Sequence, residues 1–445
     1  MATLTMNSPV PPDRQIALLP GAGTRKLEPR SEPPPQRHPA RSRVPHEPLR
    51  AAFHEVQRSS AVMKRRSALA VFGAGLALTL AACGGGGAGT GTDSDGGGSS
   101  ANPSEITVGV AMPTQTSERW IADGKNVQAG LEKAGYKVDL QYANDDIPTQ
   151  AQQIDQMITK GDKLLIVAAI DGTALSSQLA NAAAQGVKVI SYDRLIRGSG
   201  DVDFYVSFDN YNVGVQQGTS VLMGLGLLNP DGSPGTATGP FNVELFAGSL
   251  DDNNAQFFWD GAIDTLQPFI DKGQIVVKSG QTKIDQAAIL RWQQETAQKR
   301  MEDLLTSAYN DGSKVDGVLS PYDGISRGII TALQNAGYGG SGTPMPIISG
   351  QDAEIASVKL INDGVQYATV FKDTRKLADE AVKAASAMVE GKEPEANDTE
   401  TYDNGVKVVP SFLLESEIVT KDNVKSALVD TGYYTQAEVD AGKAS

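Results

Sequence analysis

From residue 104 onward, short apolar runs alternate with stretches whose apolar residues recur at helical spacing. The run 106–112 (ITVGVAM) predicts a first strand, and 122–134 predicts a helix closed by Gly135. Strands follow at 137–142, 164–169, 187–191 and 205–208, and helices at 149–160 and 174–184. Gly161 and Gly186 stand where those helices should stop, since glycine accepts the left-handed conformation of a helix C-cap. Strands that alternate with helices of this length indicate βαβ units and a parallel sheet.

The pattern then restarts. Helices are predicted at 212–227, 254–269, 284–309, 324–335, 353–363 and 377–389, and strands at 243–247, 275–280, 317–320, 346–349, 367–371 and 406–414. The 284–309 helix is expected to be long and unbroken. The two βαβ sets read as two similar lobes, with a break near Asp209.

Composition separates the N-terminal part from this body. Residues 1–62 are rich in Pro and Arg, lack hydrophobic periodicity and hold all three His. They read as disordered or as untranslated sequence. Met63 makes a better start: Lys64, Arg65 and Arg66 precede an apolar stretch at 69–80, and then come Ala81, Ala82 and Cys83. This is the layout of a secretory signal, and small residues before a lone Cys resemble a bacterial lipobox. Cys83 is then the expected lipidation site and mature N-terminus; a buried free Cys is the alternative. The Gly- and Ser-rich residues that follow, 84–103, read as a flexible tether.

Trimming sharpens the charge. The chain carries −14, but residues 1–62 have four more basic than acidic side chains and 63–83 have three more, leaving −21 on 84–445. So acidic a body argues against nucleic acid as a partner. Residues 84–445 contain no Cys and no His, which excludes Cys/His catalysis, His-ligated metals, zinc clusters and disulfides. No metal, cofactor or catalytic residue is expected.

Candidate chemistry gathers at strand ends. The strand at 187–191 turns polar at Tyr192, Asp193 and Arg194. In open α/β sheets, ligands bind at the carboxyl edge of the strands. An Arg with five fixed donors beside an acceptor-only Asp can grip several hydroxyls, although a surface ion pair is the plainer reading. Other strands end in SERW (117–120), LDDNN (250–254), SPYDG (320–324), SGQD (349–352) and Lys372-Asp373. Arg119, Arg194 and Lys372 nearly balance Asp193, Asp352 and Asp323. An anion site would be biased to positive charge, whereas a balanced set suits a neutral polyhydroxy ligand. Trp120, in the loop after strand one, and Trp292, in the long helix, are candidates to pack on a sugar ring. Trp259 reads as core, the usual fate of any single Trp. A phosphate-binding P-loop is absent. The adjacent pairs Asp145/Asp146 and Asp251/Asp252 read as turn formers rather than glycosidase acids, and Asn397-Asp398-Thr399 is a bare sequon.

Taken in order, SERW, YDRLI (192–196), YVSFDN (205–210), DNN (252–254), SPYDG and SGQD resemble the sugar-binding proteins of bacterial ABC importers, above all the xylose- and multiple-monosaccharide-binding branch. The resemblance implies a type I periplasmic-binding-protein fold: α/β, two Rossmann-like lobes with parallel sheets joined by a three-crossover hinge. Lobe one would comprise 104–209 and 372–391, and lobe two 210–371 and 392–445. By position, Arg119, Asp193 and Arg194 would bind sugar hydroxyls from lobe one, and Asn253 or Asn254, Asp352 and Lys372 from lobe two and the hinge. Trp120 and Trp292 would sandwich the ring. Tyr322 stands where xylose-binding proteins carry Asn, which alters one wall of the pocket. The function implied is a monomeric, lipid-anchored solute-binding protein, not an enzyme, that delivers a monosaccharide to an ABC permease of the membrane. The alternative is a sensory subunit presenting the sugar to a membrane sensor kinase or chemoreceptor. A glycosidase and a sugar-responsive repressor fit less well: the absence of His and Cys and the balanced charge set weigh against the first, and the lipobox takes the place of the second's DNA-binding helices.

Overall fold

The computed structural model describes residues 102–444. The expected extension 1–62, signal segment 63–83 with Cys83, and nearly all of the 84–103 tether lie outside the described residues.

The chain begins β1 (Thr107–Met112), α1 (Glu118–Lys133), β2 (Lys137–Tyr142), α2 (Ile147–Lys160), β3 (Leu164–Val167), α3 (Ser176–Ala184), β4 (Lys188–Tyr192) and β5 (Phe204–Phe208). It continues through α4 (Asn210–Gly224), β6 (Phe241–Leu245), α5 (Asn254–Asp271), β7 (Ile275–Val276), α6 (Ile284–Ala287), α7 (Gln294–Ala308), β8 (Gly317–Leu319) and α8 (Asp323–Asn335). Then come β9 (Ile347–Ile348), α9 (Ile355–Asn362), β10 (Ala368–Phe371), α10 (Thr374–Val389), β11 (Ser411–Leu414), β12 (Glu417–Thr420) and α11 (Gln436–Ala441).

Lobe one is a six-stranded sheet in the order β11-β5-β4-β3-β1-β2, parallel throughout. Its inner strands are continuous apolar runs because helices cover both faces. Val108, Val110 and Met112 point to the side of α1 and α10, while Leu165 and Val167 point to the side of α2 and α3. Gly109 is glycine for space: a Cβ there would stand 2.7 Å from Leu165 and 2.8 Å from the Met157 sulfur. Helix signals act as the residues suggest. Asp146 caps α2 by accepting from the Thr149 amide at 2.8 Å, and Gly161 ends it at φ +94°.

Lobe two has a four-stranded parallel sheet, β7-β6-β8-β9, and an antiparallel pair, β10-β12. Trp259 is buried in its core with Val243, Leu245 and Leu266. Three crossings join the lobes, at 208–210, 371–374 and 414–417, since α4 and β12 pack in lobe two while α10 and β11 pack in lobe one.

Four expectations are corrected. The segment 392–414 belongs to lobe one, because β11 pairs in parallel with β5; only from Glu417 does the chain rejoin lobe two. The helix expected at 284–309 is broken between α6 and α7. Ala247 donates to the Ala287 carbonyl at 2.9 Å and accepts from the Ile289 amide at 3.0 Å, so the chain there runs extended beside the end of β6. These sheet-type bonds replace those a continuous helix would make, and Arg291 and Trp292 both turn left-handed at φ +56°. Trp292 therefore lies in a short turn, not in a helix. Helix α1 starts four residues earlier than expected, which puts Arg119 and Trp120 in its first turn. Asn253 is the residue before α5 and does not reach the cleft. The sequon Asn397 is a structural brace that donates to the Leu413 carbonyl (2.9 Å) and accepts from its amide (2.7 Å).

Candidate functional site

In lobe one the strand order reverses direction between β1 and β3, the place where open α/β sheets form a crevice beyond their carboxyl ends. The chain leaving β1 enters α1, whose first turn presents Arg119 and Trp120. One turn on, Asp123 shares the Arg119 face, as i and i+4 residues do, and the two pair at 2.7 Å. The chain leaving β4 places Asp193 at φ +58°, a conformation Asp tolerates better than most residues. Its carbonyl is held by the hydroxyls of Tyr205 (2.6 Å) and Ser207 (2.8 Å) and by the amide of Asn254 (2.8 Å) from lobe two. Its carboxylate accepts from Arg119 at 2.5 Å.

Lobe two and the crossings supply the opposite wall. Asp352 sits at φ +88° after β9, and its Oδ1 lies 3.0 Å from Lys372 Nζ and 3.6 Å from Arg119. That oxygen completes no hydrogen bond of good geometry with another side chain. Lys372 occupies the second crossing and rests above the rings of Phe208 and Phe258. Trp292 packs edge-on to Phe258 and Tyr322, with ring centres 6.3 and 6.2 Å away. Its ring lies over Gly248, where a Cβ would come within 2.0 Å of it. The indole N–H is buried with no partner. Tyr322 donates its hydroxyl to Glu354 at 2.7 Å, so it turns ring rather than donor toward the cleft.

These groups enclose a cavity of about 490 Å³ between the lobes, within the usual size of small-molecule sites. Arg119, Trp120, Asp193, Arg194, Asn254, Trp292, Tyr322, Asp352 and Lys372 all line it; of the expected site residues, Asn253 alone does not. Five basic side chains (Arg119, Arg194, Arg291, Arg327, Lys372) face five acidic ones (Asp145, Asp193, Asp252, Glu295, Asp352). That balance fits an uncharged ligand rich in hydroxyls. Phe258, Asp252 and Arg291 escaped the reading of the sequence. Asp252 was visible only as half of an adjacent Asp pair, which reads as a turn; here it reaches across to Arg194 Nε at 3.1 Å.

The charges hold one another in place. Burial opposes the Arg119 cation, but Asp123, Asp193 and Asp352 more than offset it and hold its pKa well above the ordinary value. Burial likewise acts against the Asp193 carboxylate, yet Arg119, Lys372 and Arg194 keep it below the usual range. Asp123 differs: burial, only partly offset by Arg119, pushes it up to about 6.

Behind the wall, Asp323 is fully buried and accepts from the Glu354 amide, Gln366 and Thr369. Burial, only partly offset by Gln366 and Arg327, pushes its carboxyl up to about 8. The folded chain therefore keeps a proton that an unfolded Asp, with a pKa near 3.9, has released. Raising the pH then favours the unfolded chain. No histidine occurs among the described residues to mask this. Stability is expected to fall by on the order of 2 kcal/mol between about pH 6 and pH 8 and to level off above. Asp323→Asn should flatten that slope. Urea unfolding of both proteins at pH 6, 7, 8 and 9 checks it; equal slopes would show that Asp323 is ionised throughout.

The family model described as a periplasmic binding protein domain matches residues 108–393. The multiple sugar-binding periplasmic receptor ChvE of Rhizobium radiobacter is 56% identical over 328 residues, covering 74% of this chain and 90% of that protein. The D-xylose-binding periplasmic protein of Escherichia coli (strain K12) is 35% identical over 339 residues, covering 76% and 94%. Among solved structures, an ABC transporter solute binding protein from Clostridium phytofermentans with bound β-D-glucose is 46% identical, with a TM-score of 0.70 over 75% of this chain and 99% of that one. With its two lobes, parallel sheets and three crossings, the chain belongs to the periplasmic binding protein family and has its type I fold.

Proposed function

We propose that this protein is an extracytoplasmic solute-binding protein that captures one monosaccharide, a pentose or hexose such as xylose, glucose or galactose, between its lobes. The observation that carries this reading is the charge-balanced cavity with an indole on each lobe. Each sugar hydroxyl both donates and accepts, and hydrogen bonds to charged groups contribute roughly 1.5–3 kcal/mol each. Arg119, Asp193 and Arg194 serve the ligand from lobe one; Asn254, Asp352 and Lys372 serve it from the other side. Trp120 and Trp292 cover its apolar C–H faces, and the Tyr322 ring shapes one end. The names of the relatives support the same reading. The loaded, closed form then delivers the sugar to an ABC permease. The order of basic, apolar and small residues before Cys83 supports anchoring through that residue, although one acyl chain alone would hold only weakly.

Calorimetry with D-xylose, D-glucose, D-galactose and L-arabinose is the test. At least one should bind saturably and reversibly, and at a hundred times its Kd it should add about 2.7 kcal/mol to stability. Absence of binding by all four would overturn the sugar reading. Mass spectrometry of membrane fractions should find the mature chain beginning at an acylated Cys83; a start upstream of it would overturn the anchor.

A further inference from the structure

Beyond the ligand-facing groups, the lobes meet along a seam at the cleft mouth. Lobe two brings the loop before α5 and the turn before α7; lobe one brings the turns after β3 and β4. The Asp251 carbonyl accepts from the Gly172 amide at 3.0 Å and from Arg197 at 3.3 Å, both across the seam. The Asp251 carboxylate pairs with Arg291 at 2.9 Å within lobe two, and Arg291 also donates across the seam to the Ile170 carbonyl at 3.4 Å. Arg291 opens the left-handed step that aims the Trp292 ring: both residues sit at φ +56°, and the Arg291 amide is pinned to Ser249 Oγ at 2.8 Å. Two successive non-glycine residues in this region cost energy, so the turn persists only where its surroundings hold it.

We propose that Asp251 and Arg291 are positioning residues that form a clasp, holding Trp292 against the ligand and completing its cross-lobe bonds only when the lobes close. The inference rests on the monosaccharide-binding reading above. Its consequence is kinetic. Encounter takes place in the open form, where the cross-lobe bonds do not exist, so the clasp leaves association nearly untouched. Escape requires the seam to break first, so the clasp sets the dissociation rate. Arg291 also borders the cavity, whereas Asp251 does not, and that difference separates a clasp from a direct ligand contact.

Stopped-flow tryptophan fluorescence on the full chain, with D-glucose or the tightest of the four sugars as probe, tests this. Arg291→Gln and Asp251→Asn should each raise the dissociation rate about tenfold while association stays within about twofold. The double variant should be no faster than either single one, because both remove the same pair. Unfolding midpoints without sugar should stay within about 2 °C of the unaltered chain, since the pair is partly exposed. Unchanged dissociation in both variants overturns the clasp. So does a large effect of Arg291→Gln with none from Asp251→Asn, which would show that Arg291 acts without its Asp251 pair, through the cavity or its own bond to Ile170. If the unaltered chain binds none of the sugars, the functional reading itself fails and takes the clasp with it. If it binds and the variants behave like it, only the clasp fails.

Discussion

Arg119→Ala is expected to lower the stability of the sugar-free protein by about 3–5 kcal/mol, the usual loss when one partner of a buried ion pair is removed, and to abolish sugar binding. Arg119 is 6% exposed, and its guanidinium is the shared cation of Asp123, Asp193 and Asp352. Without it, Asp123 loses the cation it pairs with, and Asp193 beside it is left with Lys372 and Arg194, neither of which forms a direct ion pair with it. The two carboxylates must take up protons or draw in water. Either response disturbs the Asp193 carboxylate, and with it the wall where the ligand is expected to sit. Thermal and urea unfolding read the first effect and calorimetry with D-glucose the second. A midpoint within about 1 °C of the unaltered chain would show that the pairing is dispensable.

Arg194→Ala should act differently, weakening sugar binding about a hundredfold, or about 2.7 kcal/mol, while the fold stays intact. Arg194 lies at the end of β4 in the cleft, not in the core of lobe one. Its Nε pairs with Asp252 across the lobes at 3.1 Å, one terminal nitrogen donates to the Ala169 carbonyl at 3.2 Å, and the guanidinium carbon stands 5.0 Å from the centre of the Trp120 ring. The substitution removes the donors proposed for the ligand, a cross-lobe pair and one of the two cations over the indole together. Far-UV circular dichroism should be unchanged and the Kd for D-glucose should rise. An affinity within about twofold of the unaltered chain would remove Arg194 from the site; both Arg variants should bind sugar poorly, and only Arg119→Ala should also lose stability.

Much of this was legible before any fold was known. Apolar runs, helical spacing and the glycines at 135, 161 and 186 placed the elements of lobe one to within a few residues, because those signals act over one turn or one strand. The strand-end motifs pointed to one crevice because an open parallel sheet gathers its carboxyl ends on one side. Nine of the ten expected ligand residues do line one cavity; the exception, Asn253, is one position from Asn254, which donates across the lobes to Asp193. One residue of register decides which side chain faces the cleft, and composition carries no register.

What the sequence by itself determined is the alternation that makes two α/β lobes, the charge types offered at the strand ends and the two indoles beside them. These follow from local propensity and periodicity, which are written into neighbouring residues. Tertiary structure alone decided the rest. It broke the helix expected at 284–309, because Ala247, just past β6, takes the Ala287 carbonyl and the Ile289 amide for sheet-type hydrogen bonds. It returned 392–414 to lobe one, because β11 found its partner in β5, some two hundred residues earlier in the chain. It set Arg119 among Asp123, Asp193 and Asp352, and Asp251 against Gly172. Such pairings depend on which distant groups closure of the chain brings within hydrogen-bond reach, and no local window of residues contains that distance.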